Sequence, residues 1–334
     1  MLHVTLGDRA YPCETGETVL DALTKGGASV PSSCRTGVCQ TCLLRATEGV
    51  PPGPSQAGLK ETLRAQNYFL ACQCIPDTAL RVELPSADVG KIDAEILALT
   101  PLSKDTLAVT LQSADIGDYH AGQFINVFKD ERISRSYSLA SAPGVDPHLT
   151  LHVRRIDHGK VSGWIHDMLK VGHTIPISRP IGDSFYVPSD LDQPLLLLGT
   201  GSGLAPLYGI VRAALHHGHR GVIRLYHGSR DRHGLYLMEE LRALAKEHHS
   251  FRYEPCVSQE TADDRVRAGR VLDVALQDLP TVSGMRAYLC GHPDMVRSAK
   301  KRLYLSGAAL KDIYADAFIR SAVTIPLGRG GTDA

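Results

Sequence analysis

Cys34, Cys39 and Cys42 form a C-x4-C-x2-C array within Cys34-Arg35-Thr36-Gly37-Val38-Cys39-Gln40-Thr41-Cys42, and a fourth thiol follows at Cys72 in Leu70-Ala71-Cys72-Gln73. This spacing suits a [2Fe–2S] cluster: four thiolates must converge on two irons, three from one tight loop and the fourth from a segment that folds back. Gly37 lets the loop backbone curl where a side chain would collide with inorganic sulfur. The N–H groups so exposed can donate to the cluster and tune it. A structural zinc site usually pairs two short C-x2-C units, whereas here one triplet meets a single distant cysteine. A disulfide framework belongs to small secreted domains, and a redox C-x-x-C would leave Cys34 and Cys72 unexplained.

Two more stretches carry chemistry. Strand alternation in Arg135-Ser136-Tyr137-Ser138 puts Arg135 and Tyr137 on one face and Ser136 and Ser138 on the other. Arginine can hold a pyrophosphate and tyrosine can cover an aromatic ring. Gly122-Gln123-Phe124-Ile125 lies upstream, and Gly159-Lys160-Val161-Ser162-Gly163-Trp164-Ile165 opens an amphipathic segment downstream, where free helix N–H groups make a phosphate site. Trp164 reads as a core residue. Farther on, the apolar run Leu195-Leu196-Leu197-Leu198 leads into Gly199-Thr200-Gly201-Ser202-Gly203-Leu204-Ala205-Pro206 and then a helical face of Leu207, Ile210, Val211, Ala214 and Leu215. Strand, glycine loop and helix in succession make a pyrophosphate cradle credible. Cys290-Gly291-His292-Pro293 falls at the carboxyl end of a strand, where open α/β sheets bind ligands.

The elements that must position these residues divide the chain in three. Residues 1–87 read as a hairpin (strands at 2–6 and 11–14), a short helix to Leu23 ended by Gly26-Gly27, the thiol loop and a closing strand at 80–84. Cys13 reads as a small buried hydrophobe and Cys74 as a spare thiol. After a linker at 86–90, residues 88–188 show strands at 91–99, 106–112, 124–128, 135–140 and 149–154, a spacing that suits an antiparallel barrel. Residues 189–334 alternate strand and helix (222–227 then 235–246, 251–257 then 271–279, 286–290 then 294–305), which means a doubly wound parallel sheet. Length alone favours two or three domains for 334 residues. Lys+Arg and Asp+Glu both number 36, so no nucleic-acid backbone or anionic membrane is implied as partner. No export signal and no run of about 18 apolar residues is visible, and eight cysteines without secretory context point to a reducing cytoplasm. The histidine groups at 216–219 and 248–249 fall at expected helix ends, as solvated or dipole-complementing residues.

Residues 34–72 resemble the plant-type ferredoxins, with Gln40 where those loops commonly carry a small residue, and this implies a β-grasp-like fold with Cys34, Cys39, Cys42 and Cys72 as ligands. The 88–188 elements resemble the FAD domain of the ferredoxin–NADP reductase superfamily. That resemblance implies Arg135 and Ser136 at the flavin diphosphate, Tyr137 stacked on the isoalloxazine and Ser138 near flavin N5. Gly159, Lys160, Val161 and Ser162 would donate to the diphosphate, and Val153 and Arg154 match the strand before that loop. The G-x-G-x-G-x-A-P run is similar to that superfamily's nicotinamide loop, implying cofactor contacts from Gly199, Thr200, Gly201, Ser202, Gly203 and Pro206, with Cys290 approaching the nicotinamide. Tyr314-Ala315-Asp316-Ala317-Phe318 resembles the acidic-x-Phe segment of oxygenase reductases, which adds Asp316 and Phe318 to Ser138 and Cys290 as the implied catalytic set.

Ser229 and Arg230 could hold the 2′-phosphate of NADPH. A Gly-small-Arg run followed by Leu235-Tyr236-Leu237 also occurs in NADH-dependent oxygenase reductases, and the sequence favours NADH. The order of the three units is similar to that of the reductase component of bacterial multicomponent oxygenases acting on phenol, methane or benzoate. This implies hydride transfer from NADH to FAD, then single electrons through the cluster to a separate oxygenase; with no heptad or large exposed apolar segment in the sequence, a monomer is expected. Two alternatives remain open: a reductase serving a dehydratase of deoxysugar biosynthesis, and a non-catalytic redox sensor.

Overall fold

The computed structural model describes residues 2–32, 35, 37, 42–85, 91–130 and 133–318. Cys34 and Cys39 of the expected ligand set, and the expected linker at 86–90, lie outside the described residues. The first strands, β1 (Leu2–Leu6) and β2 (Arg9–Cys13), pair antiparallel with Leu2 opposite Cys13, turning at Gly7, which has φ +61°. The helix α1 (Val19–Lys25) starts where Thr18 accepts the Asp21 N–H at 3.2 Å, an N-cap worth about 1 kcal/mol. It buries Val19, Leu20, Ala22 and Leu23 on the sheet. Then come β3 (Leu43–Glu48), the short helix α2 (Glu61–Ala65), β4 (Tyr68–Leu70) and β5 (Leu80–Glu83). The sheet order is β2-β1-β5-β3-β4, with β1 and β5 parallel in its centre. The hairpin, helix and closing strand match the sequence expectation. β3, α2 and β4 were not anticipated, being short and lacking strong periodicity.

The second sheet is antiparallel and contains β6 (Lys91–Pro101), β7 (Thr106–Gln112), β8 (Phe124–Phe128), β9 (Ser134–Ser138) and β10 (Leu149–Arg154), followed by α3 (Lys160–Met168) and β11 (Thr174–Ser178). Its order is β10-β7-β6-β11-β8-β9. The two edges meet where the Ala140 N–H donates to the Thr150 carbonyl at 2.7 Å and Leu139 bridges Leu151, curling the sheet into a barrel. Alternate residues such as Val109, Leu111, Ile125, Val127, Leu151 and Val153 fill it. β11 was not foreseen, because Pro176 inside Thr-Ile-Pro-Ile-Ser argues against a paired strand.

The third sheet is wholly parallel. It comprises β12 (Leu195–Thr200), α4 (Leu204–His216), β13 (Ile223–Ser229), α5 (Met238–Glu247), β14 (Phe251–Val257), β15 (Arg267–Ala268), α6 (Val271–Asp278), β16 (Arg286–Gly291), α7 (Pro293–Leu305) and β17 (Ile313–Ala317). The order is β15-β14-β13-β12-β16-β17. Leu195 and Leu197 belong to one core and Leu196 and Leu198 to another, so the unbroken leucine run reflects a strand buried on both faces. β12 has β13 on one side and β16 on the other, and the crevice at their carboxyl ends is where such sheets bind ligands. Among the described residues no helix is long and apolar enough to cross a membrane.

Candidate functional site

The thiols of the first unit come together through the backbone. The Ala71 N–H donates to the Cys42 carbonyl at 3.0 Å, which brings the turn bearing Cys72 onto the start of β3. The Cys42 and Cys72 thiols are within hydrogen-bonding reach of each other, and burial pushes the Cys42 thiol up. Gln73 ties the parts together: its amide donates to the Arg35 carbonyl at 3.1 Å and toward Cys72 Sγ at 3.4 Å. Arg35 and Gly37 both have positive φ, and a Cβ on Gly37 would lie 3.1 Å from the Gln73 side chain. The donor set fits a cluster: two sulfurs lie within reach of each other and an amide points at one of them. Cys74, by contrast, is turned into the core with no exposed surface, and burial pushes it up to about 12. Cys13 is likewise buried.

In the barrel, β9 presents Arg135 to solvent and buries Ser138, while the Ser136 hydroxyl donates to Asn126 Oδ1 at 2.7 Å. The Arg135 guanidinium bonds its neighbour's carbonyl, Ser134 O, at 2.6 Å. Tyr137 packs against the barrel core, and burial raises its phenol. At the N-terminus of α3, Gly159 has no room for a side chain, since a Cβ would stand 2.3 Å from Ser162 Oγ. That hydroxyl accepts the Ile156 N–H at 3.2 Å. The Val161 side chain is buried in the barrel core, so only its backbone is available to a ligand. A cleft beside this helix start is lined by Arg155, Asp157, His158, Gly159, Trp164 and Asp167, with Arg155 paired to Asp167 at 2.7 Å. Trp164 packs partly on the barrel core, as expected. The free N–H groups of the helix N-terminus face an open cleft and suit a diphosphate, while the arginine lining it, Arg155, is already held by Asp167.

Barrel and parallel sheet meet at a small polar cluster. The Ser138 hydroxyl donates to Asp316 Oδ2 at 3.1 Å across 178 residues of sequence. Asp316 on β17 is in register with Cys290 on β16, and the Phe318 N–H donates to the Gly291 carbonyl at 2.8 Å. All four residues expected to act together are therefore adjacent. Cys290 is fully buried, and burial with the nearby Asp316 charge pushes its thiol well up. Burial also raises the Asp316 carboxyl, opposed by the Ser138 hydrogen bond. Because its folded-state value is raised, Asp316 stabilises the fold at low pH and loses that contribution as pH rises through the raised value. Asp316→Asn is accordingly expected to melt a few degrees higher than the parent at neutral pH, with the gap closing as pH falls. Thermal melts across a pH series check this; a variant that is less stable at neutral pH would mean that the charged carboxylate is needed to hold the seam.

The glycine loop packs tightly under this cluster. Gly201 has φ +55°. A Cβ on Gly203 would lie 2.3 Å from the Cys290 carbonyl oxygen. Thr200 Oγ1 accepts the His292 N–H at 2.9 Å, joining the loop to the start of α7. Such a cradle, with backbone N–H groups close to a helix start and no side chains in the way, fits a pyrophosphate. His227 was not singled out from sequence, although a histidine closing a buried strand is a signal. It is fully buried, and its Nε2 lies 3.3 Å from the Gly201 carbonyl while Nδ1 faces the Tyr253 hydroxyl at 3.4 Å. Burial lowers it to about 4, so it stays neutral and can hold that carbonyl inward. Ser229 and Arg230 stand at the end of β13, Arg230 exposed. Of the histidines expected at helix ends, His217 faces the Ala213 carbonyl of its own helix, whereas His219 is not solvated but buried between the Gln193 carbonyl and the Tyr186 hydroxyl.

Three regions of the chain match known domain families. Residues 4–77 match the 2Fe-2S iron-sulfur cluster binding domain, 93–186 the oxidoreductase FAD-binding domain and 197–301 the oxidoreductase NAD-binding domain. The chain is 37% identical over 314 residues to the reductase subunit of an aromatic O-demethylase from Amycolatopsis sp., covering 89% of this chain and 92% of that one. It is 30% identical to the ferredoxin–NAD(P)+ reductase component of a naphthalene 1,2-dioxygenase system from Pseudomonas putida, covering 95% and 98%. Among solved structures, an Amycolatopsis cytochrome P450 reductase matches with a TM-score of 0.66 at 33% identity, covering 95% of this chain and 99% of that chain.

Proposed function

This chain belongs to the family of oxygenase reductase components that join a [2Fe–2S] ferredoxin domain to FAD- and NAD-binding domains, and from that premise we propose that it takes hydride from NADH and feeds single electrons to an oxygenase partner. When bound, the flavin accepts two electrons together and releases them singly, and the cluster takes one at a time. The observation that carries the reading is the convergence of Ser138, Cys290 and Asp316 from three strands of two sheets, at the mouth of the glycine loop. A purely structural seam would favour apolar packing over a half-buried carboxylate held by one hydroxyl.

In this reading the chain divides into three domains, residues 1–87, 88–188 and 189–334. Cys34, Cys39, Cys42 and Cys72 hold the cluster, and Gln73 donates toward Cys72 Sγ. Arg135, Ser136 and the backbone of Gly159, Lys160, Val161 and Ser162 bind the flavin diphosphate, and Tyr137 covers the ring. Val153 supports that site from the strand before it. The run Gly199 to Gly203, with Pro206 opening α4, cradles the dinucleotide pyrophosphate, His227 keeping the Gly201 carbonyl turned inward. Ser138 and Asp316 hold a hydrogen bond beside the reacting ring edges, Cys290 walls off water there, and Phe318 closes the side toward the C-terminus. Ser229 and Arg230 contact the adenosine ribose, with NADH preferred over NADPH. The relatives' names place them with oxygenase or demethylase partners, and this chain serves a partner of that class as a cytoplasmic monomer.

Anaerobic titration with NADH, followed by visible absorbance and low-temperature EPR, tests the reading. Flavin bleaching with the rhombic signal of a reduced [2Fe–2S] centre is the expected result. Bleaching without that signal would remove the cluster assignment, and response to NADPH alone would reverse the nucleotide preference.

A further inference from the structure

The cluster domain is fastened to the other two by a compact set of contacts from α2 and its flanks. Arg286, at the start of β16, is 6% exposed. Its guanidinium lies 2.7 Å from Glu61 Oε2, a partner 225 residues away in sequence. A second guanidinium nitrogen donates to the Val187 carbonyl at 3.3 Å. Next to Glu61, the Lys60 ammonium lies 5.0 Å from the centroid of the Tyr314 ring on β17 and 3.5 Å from Asp183 Oδ2. The Gln66 amide donates to the Gly182 carbonyl at 3.3 Å. Three residues of one seven-residue stretch, Lys60, Glu61 and Gln66, thus grip β16, β17 and the segment between barrel and parallel sheet.

We propose that the Glu61–Arg286 pair is a latch that docks the cluster domain on the flavin–nicotinamide seam and so sets the rate of electron transfer from flavin to cluster. This rests on the electron-transfer reading above. An arginine buried on a strand end without a partner would be strongly destabilising, so a near-buried guanidinium on the nicotinamide domain is accounted for by a carboxylate that arrives with the cluster domain. The placement also explains the position. α2 leads through β4 straight to Cys72, and β4 pairs Leu70 with Leu43, the residue after Cys42. On the other side, Tyr314 and Asp316 occupy alternate positions of β17 and share a face. That face meets Lys60 of the cluster domain at Tyr314 and Ser138 of the barrel at Asp316. The stacking of Tyr314 on Tyr288, with ring centroids 5.2 Å apart, holds β17 against β16 beneath the latch. One strand thereby fixes both the hydride-transfer cluster and the cluster domain, and electron tunnelling falls steeply if that spacing loosens. In each transfer one electron leaves the reduced flavin and one enters the oxidised cluster, and NADH supplies both electrons of the pair.

The test uses the full holoenzyme as Glu61→Gln, Arg286→Met and the double variant, each checked for FAD and iron content. Stopped-flow after NADH should show flavin reduction at the parent rate, with cluster reduction slowed roughly tenfold in either single variant and by no more than that in the double, because one broken pair cannot be broken twice. Small-angle scattering should show a larger radius of gyration in all three, a readout independent of the redox assignments. Unchanged scattering with an unchanged cluster-reduction rate in Glu61→Gln would overturn the latch, as would additive losses in the double variant. If scattering changes while no cluster signal appears even in the parent, the latch stands and the electron-transfer reading fails. Glu61→Gln decides the matter should Arg286→Met fail to fold.

Discussion

Gly203→Ala is expected to weaken nicotinamide binding strongly while leaving FAD and the cluster in place. The new Cβ would stand 2.3 Å from the Cys290 carbonyl oxygen, 2.6 Å from its carbon and 2.8 Å from Gly291 Cα. All three are backbone atoms, and they have nowhere to go. Cys290 is in register with Gly199 on one side and Asp316 on the other. Gly291 is pressed against Thr200, where a Cβ of its own would lie 2.4 Å from Oγ1. Relief therefore requires the glycine loop to lift off β16. Overpacking of this kind costs about 1–3 kcal/mol of stability. The larger effect is on the ligand, because the loop N–H groups that should meet the pyrophosphate move with the backbone. A loss of about 2 kcal/mol would weaken binding roughly 30-fold. Calorimetric titration with NAD+ and NADH measures it, with flavin absorbance and dithionite-reduced EPR as the check that the rest of the molecule is intact. Gly53→Ala is the control: that glycine has open space and no left-handed φ, and the change should be silent. Parent-like affinity in Gly203→Ala would mean that the loop has slack and that the pyrophosphate is held elsewhere.

What could be read from the chain was what local patterning encodes. The leucine run, the glycine loop and the helix after it form a strand–loop–helix whose buried faces are continuous in sequence, so β12 and α4 emerged nearly at their observed limits. Five barrel strands did too, because alternation survives in them. β11 did not, since a proline inside it masks its pairing. β3 and β4 are short, and their register is set by partners far away: Leu43 faces Leu70, and Ala46 faces Val82. The site followed the same division. Residues within motifs were found, whereas those that matter through remote contacts were invisible. Nothing in Lys60-Glu61 announces a partner at Arg286, and Gln73 looked like part of a motif rather than the tie between two loops. Ser138 and Asp316 were each named on resemblance, but their hydrogen bond depends on how two sheets are set against each other, which no window of sequence contains.

The second large effect is expected at Cys72. Cys72 and Cys74 are two residues apart, and sequence spacing alone does not choose between them as the fourth ligand. The structure separates their environments: Cys72 lies within reach of Cys42 with the Gln73 amide toward its sulfur, while Cys74 is sealed in the core beside Leu20, Leu23 and Phe69. A thiol raised to about 12 by burial is a poor source of thiolate, and its surroundings leave no space for an iron. Cys72→Ala should therefore eliminate the EPR signal of the reduced [2Fe–2S] centre, along with cytochrome c reduction through it. FAD content and NADH-driven ferricyanide reduction, which need only the flavin, should persist. Cys74→Ser should do the converse, keeping the signal, with the new hydroxyl buried next to that of Ser55 at a cost of about 1–3 kcal/mol in stability. The pair of variants is more informative than either alone, because a general collapse of the domain would erase the signal in both. If Cys74→Ser lost the cluster and Cys72→Ala kept it, the ligand turn would have to be re-registered by two residues. That would pull Ala71 off the Cys42 carbonyl and expose the core position Cys74 now fills, and the cost of that rearrangement is the physical reason to expect Cys72.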